Sequence, residues 1–89
     1  MKTQIKQKRE LQFNVIFRPE KEGGFTALVP ALSGCITYGR TLGEARRMAA
    51  DAIEGYVVSL RKHRELIPSD EETFISSVRL PEKKSLIYA

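Results

Sequence analysis

Three short runs of alternating apolar and polar residues lie in the first half of the chain. Residues 11–17 carry apolar side chains at every second position, which is the period of a strand with one buried face. Residues 25–29 and 35–38 have similar β-type composition, and the breakers Gly23-Gly24 and Pro30 lie between the runs. The pattern predicts three antiparallel strands joined by short connections.

A helical pattern follows the third run. Thr41 and Glu44 have capping-box spacing, in which the hydroxyl accepts from the amide three residues on and the carboxylate returns to the Thr41 amide. Beyond them, apolar residues recur at spacings of three and four, which predicts one amphipathic helix packed on the sheet. The apolar positions are Leu42, Ala45, Met48, Ala49, Ala52, Ile53, Tyr56, Val57 and Leu60.

Residues 74–80 alternate again and predict a fourth strand. A right-handed crossover through the helix would place it parallel to the first strand. The predicted fold class is therefore α+β, a β-β-β-α-β unit whose mostly antiparallel sheet has the order 3-2-1-4 and one long helix on one face. The apolar residues 86–88 are either a fifth short strand or a docking tail.

The sheet face turned away from the helix is predicted to be a partner or oligomer surface. Its apolar contacts would be Ile16, Leu28 and Ile75, interleaved with polar residues that include Thr26, Thr37 and Ser77. This mixture is too apolar in places for exposure and too polar for the core of a monomer.

The length of 89 residues fits one small domain. We assign residues 1–10 to a basic flexible arm, residues 11–80 to the domain, and residues 81–89 to a C-terminal tail or short extra strand. A chain of this size buries only about 60 to 65% of its unfolded surface, so we expect a homo-oligomer, either a dimer or a tetramer.

Cysteine and hydropathy patterns indicate the compartment. The single cysteine, Cys35, cannot form an intramolecular disulfide, and with one distant His63 it does not make a metal site. No continuous apolar run is long enough to span a membrane. We therefore expect a cytoplasmic protein with no membrane association and no cofactor.

The net charge of +4 comes from the first nine residues, because residues 10–89 hold eleven basic and eleven acidic side chains. The arm carries Lys2, Lys6, Lys8 and Arg9. Such an arm is either a solvated tail or a weak, salt-sensitive and sequence-independent contact for a polyanion.

Residue types suited to catalysis do not converge in the sequence. His63 is typical of a solvated helix end, and Cys35 of a small buried hydrophobe. The only aspartates are Asp51 and Asp70, and neither lies in a predicted strand, where two-metal nuclease chemistry would need carboxylates. The residues alone thus indicate a non-enzymatic interaction domain.

A motif from residue 24 to residue 45 resembles the signature of HicB-type antitoxins. It combines a glycine-aromatic hairpin, a strand end at proline, a Gly-Cys turn, and a capped helix start. The motif residues, which the resemblance assigns to structural roles, are Gly24, Phe25, Pro30, Gly34, Cys35, Gly39, Thr41 and Glu44. The likeness extends over residues 11–80 and implies a partial RNase H-like fold.

The resemblance implies a cytoplasmic antitoxin that binds a HicA-type toxin, a small mRNA-cleaving protein, and occludes its active site. Many relatives add a DNA-binding domain, but nine residues follow Leu80 here, so we do not expect promoter binding. Ala31 replaces an acid that is usual in the family. Two alternatives remain: a nucleic-acid-binding or degenerate nuclease-like module that uses the basic arm, and a solitary homo-oligomer without a toxin.

Overall fold

The computed structural model describes residues 10–82 as three strands followed by one long helix. The elements are β1 (Ile16–Pro19), β2 (Phe25–Leu28), β3 (Ile36–Gly39) and α1 (Leu42–Lys62). β2 lies in the middle of the sheet and is antiparallel to both neighbours. The predicted α+β class, with three antiparallel strands and a single long helix, is confirmed.

β1 begins later than the pattern predicts. Alternation indicates a strand over residues 11–17, but pairing with β2 starts at Ile16, opposite Leu28. Beyond Leu28 the next amide, that of Val29, donates to the carbonyl of Cys35 at 3.0 Å, and Pro30 has no amide to donate. Neither the Val29 amide nor Pro30 therefore donates a ladder hydrogen bond to residues 11–15.

The core lies between the sheet and one face of α1. The loop residues Val29, Leu32 and Cys35 form its centre, with Phe13 and Val15 packed against them. From α1, the buried residues are Ala45, Ala49 and Val57, and Ala52, Ile53, Tyr56 and Leu60 contact the same cluster. The predicted apolar stripe thus packs on the sheet, although Leu42 and Met48 near its start remain largely exposed.

The order 3-2-1 of the three antiparallel strands is confirmed, but the predicted fourth strand is not formed in residues 10–82, so its place in the order 3-2-1-4 is wrong. Residues 74–80 have no strand pairing, and every residue from 71 to 82 is exposed. The chain before this segment bonds to residues ahead of β1 instead: the Asp70 amide donates to the Gln12 carbonyl at 2.6 Å, and the Asn14 amide donates to Asp70 Oδ2 at 2.9 Å.

Two further predictions concern residues outside the described range. The basic arm, apart from its last residue Glu10, and the fifth strand or docking tail at residues 86–88 both lie there.

Candidate protein-binding face

The β1–β2 hairpin is held by glycines in left-handed backbone conformations. Gly23 has φ +107° and Gly24 has φ +82°. A Cβ on Gly24 would lie 2.0 Å from Oη of Tyr38, whose hydroxyl donates to the Gly23 carbonyl at 2.9 Å. The aromatic residue that follows, Phe25, begins β2 and pairs with Gly39. These contacts hold the β1–β2 hairpin against β3 at one end of the sheet.

The loop between β2 and β3 is a compact turn built on backbone hydrogen bonds. The Leu32 amide donates to Val29 and the Cys35 amide donates to Leu32, each at 3.0 Å. Gly34 has φ +75°, a conformation that few L residues adopt. From the helix, the Tyr56 hydroxyl donates to the Ser33 carbonyl at 2.9 Å and ties the loop to α1.

The start of α1 is capped and pressed closely against β3. Thr41 Oγ1 accepts from the Glu44 amide at 3.0 Å, while Glu44 Oε1 accepts from the Arg40 amide at 2.6 Å. The Glu44 carboxylate therefore accepts from the amide of Arg40, whereas the sequence predicted that it would accept from the amide of Thr41. Gly39 lies against the first turn of the helix, where a Cβ would be 2.2 Å from the Ala45 nitrogen.

Apolar side chains from all three strands form a row on the sheet face opposite α1. The strand register places Ile16 opposite Leu28, and Leu28 opposite Ile36. Ile16 is 41% exposed and Ile36 is 58% exposed. Tyr38, two residues after Ile36 and so on the same side, is also exposed. We call these four residues the outer face.

Only two of the three apolar contact residues predicted from the sequence lie together in the structure. Ile16 and Leu28 lie together on the outer face, but Ile75 lies in the unpaired segment of residues 74–80. Thr37 is opposite the buried Ala27, so it faces the helix and not the outer face. Ile36 and Tyr38 were missed; alternation counted from a buried Cys35 would have found them.

Charged and polar residues border the outer face. Arg18 Nε lies 4.0 Å from Glu20 Oε2, and Thr26 donates to the same carboxylate oxygen. Between residues 10 and 82, no three His, Cys, Asp or Glu side chains are grouped to hold a metal ion. The polyanion candidates Lys2, Lys6, Lys8 and Arg9 lie outside the described residues.

Cys35 and His63, the two residues considered for catalysis, lie in the core and at the end of α1. Burial raises the pKa of the Cys35 thiol, which disfavours the nucleophilic thiolate. His63 is exposed at the C-cap of α1, where its Nδ1 lies 2.8 Å from the Ser59 carbonyl oxygen. Within the part of the chain described, no helix is long and apolar enough to cross a membrane.

Comparisons with known proteins identify the family of the chain. The chain is 42% identical over 60 residues to the UPF0150 protein Ta0767 of Thermoplasma acidophilum, covering 67% of this chain and 87% of that protein. It is 33% identical over 64 residues to a UPF0150 protein of Synechocystis, covering 72% and 81% of the two chains. The family described as HicB-like antitoxin of bacterial toxin-antitoxin systems matches residues 13–88. The chain therefore belongs to the HicB-like antitoxin family.

Proposed function

We propose that this protein neutralises a HicA-type, mRNA-cleaving toxin by binding it through the outer face and covering its active site. Membership of an antitoxin family implies a toxin partner in general. The observation that carries the proposal is the row of Ile16, Leu28 and Ile36, in which Ile16 and Ile36 are exposed and Leu28 is half-buried, whereas the opposite sheet face is packed against α1.

The outer face has the composition of a protein interface. An apolar centre bordered by polar and charged side chains excludes water from a contact while the border fixes its orientation. Here the border includes Arg18, Thr26 and Glu20, which contact one another. Tyr38 adds an aromatic side chain whose hydroxyl is already held by the Gly23 carbonyl.

The outer face is also preformed. Its side chains stand on paired strands, so binding orders little backbone and loses little conformational entropy. Occlusion needs no catalytic group on this chain. The buried carboxylate of Asp70 serves the fold, because it accepts from the Asn14 amide. The proposed antitoxin therefore acts by contact and not by catalysis.

The test is to purify the tagged full chain from its own host at moderate salt and to measure the intact masses of co-purifying proteins. We expect a small basic protein in stoichiometric amount that cleaves RNA once separated and stops when this chain is added back. Recovery of the chain alone would overturn the proposal and favour a solitary homo-oligomer. RNA recovered with no second protein would instead direct attention to the basic arm.

A pair of variants locates the contact. Ile36→Arg places a cation in the middle of the outer face, whereas Met48→Arg places the same cation on an exposed part of α1. We expect Ile36→Arg to weaken toxin binding at least about 30-fold, the effect of losing one hot-spot residue, and Met48→Arg to leave it unchanged. Equal affinities for the two variants would exclude the outer face as the contact.

A further inference from the structure

Residues 74–80, which we call the tail segment, have the sequence of a strand without a partner. Phe74, Val78 and Leu80 share one side of the alternation and are between 84% and 91% exposed. Ile75 points to the opposite side and is also exposed. Within the described chain nothing pairs with this segment, so its apolar side chains lie in water.

A groove lies along the free edge of β1. α1 packs mainly over β3 and β2, so the helix-facing side of β1 at the edge of the sheet is only partly covered, and its Phe17 is half-buried. The groove lies there between residues 13–17 and the helix. We call it the edge groove; its lining comprises the apolar residues Phe13, Val15, Phe17, Ala49, Ala50 and Ile53 and the polar residues Asn14 and Arg46.

The groove and the tail segment both carry apolar side chains. A second apolar depression continues the groove from Phe13 and Ile53 to Val57. A strand paired with β1 would direct alternate side chains between β1 and α1, which is where Phe74 and Val78 would be buried.

We propose that two copies of this chain exchange tail segments, each adding residues 74–80 to the free β1 edge of the other and filling its edge groove. Bonds between Asp70 and residues 12–14, and from Asn14 Nδ2 to the Thr73 carbonyl at 3.1 Å, anchor the base of the segment beside β1. Beyond this anchor the segment leaves its own groove open.

A second copy fits because one chain carries both halves of the contact. An exchange between two such chains is symmetric and closes at two copies, leaving no free groove or segment to recruit more. The paired segment would also supply the fourth strand that the alternation predicts. Ile75 would then lie on the outer-face side of the other copy's sheet. This inference does not depend on toxin binding.

The first experiment measures the mass of the full chain in solution by light scattering, comparing wild type with Val78→Asp and Ser77→Asp. These neighbouring residues are both exposed and lie on opposite sides of the tail segment. We expect a wild-type dimer, a dissociation constant raised at least about 30-fold by Val78→Asp, and little change with Ser77→Asp. A wild-type monomer, or a Val78→Asp dimer as tight as wild type, would overturn the exchange.

Hydrogen exchange on the wild type gives a second readout that requires no variant. Amides of residues 74–80 should be protected in the dimer and lose protection on dilution together with the dimer mass. Protection that is absent, or that persists in the monomer, would contradict pairing between copies. Ile36→Arg separates the two proposals, because it should weaken toxin binding and leave the dimer intact; a dimer lost with Ile36→Arg would place the contact on the outer face.

Discussion

Replacement of Gly39 by alanine tests the closest contact between the sheet and the helix. Its Cβ would lie 2.2 Å from the Ala45 nitrogen, 2.5 Å from the Ala45 Cα and 2.7 Å from the Glu44 carbonyl carbon. All three are backbone atoms, so no side-chain rotation relieves the overlap. Ordinary contact begins near 3.4 Å, and the helix start must therefore retreat by about 1 Å.

Moving the start of α1 away from β3 separates two tightly packed surfaces. Ala45 and Ala27 are fully buried where α1 meets the sheet, and the Thr41 cap is at the same end of the helix. Overpacking of a core costs about 1 to 3 kcal/mol, and we expect the upper end because backbone must move. At about 4 to 8 °C per kcal/mol for a domain of this size, the Tm should fall by about 12 to 24 °C.

Gly55→Ala is the matched control, because the same methyl group is added to an exposed helical position with no atom within 4 Å. It should stabilise the protein by about 1 kcal/mol, since alanine favours a helix over glycine. Thermal melting by circular dichroism compares both variants with wild type. A Gly39→Ala protein that melts at the wild-type temperature would refute the close approach of β3 to α1.

Three other substitutions test separate parts of the account. Gly34→Val should destabilise the protein by about 1 to 3 kcal/mol through backbone strain, because its φ of +75° disfavours a β-branched residue and the space around it is open; an unchanged Tm would count against the turn. Thr37→Val should raise stability by about 1 kcal/mol, since the buried Thr37 Oγ1 has no hydrogen-bond partner among residues 10–82, and a lower Tm would mean that the hydroxyl is satisfied. Burial raises the pKa of Cys35 above its ordinary 9.0, so the unfolded chain loses the thiol proton first and stability falls as pH rises from 9.0 through the folded pKa. Cys35→Ala should show a smaller alkaline loss in denaturant titrations, and equal losses would contradict this assignment.

The local features of the fold were predictable from the sequence. Thr41 and Glu44 define the helix start because a cap depends on residues three apart, although the carboxylate accepts from Arg40 and not from Thr41. The hairpin at Gly23-Gly24 likewise follows from short-range turn chemistry.

Features that depend on distant pairing were harder to predict. The side of the sheet on which Ile36 lies depends on how the loop before β3 closes, and the loop places Cys35 in the core. Whether residues 74–80 pair as a strand depends on a contact far along the chain, which alternation cannot specify. The sequence therefore predicted three strands, the helix and one part of the outer face, but neither the Ile36 contribution to that face nor the absence of a fourth strand beside β1.

The central claim is that this chain inhibits an RNA-cleaving toxin by contact. Its most direct test adds increasing amounts of the full chain to the toxin purified from the same host and measures RNA cleavage at each molar ratio. The account predicts that cleavage stops at a stoichiometric amount of wild-type chain and continues at that amount of Ile36→Arg. Cleavage that persists in excess wild-type chain would contradict it.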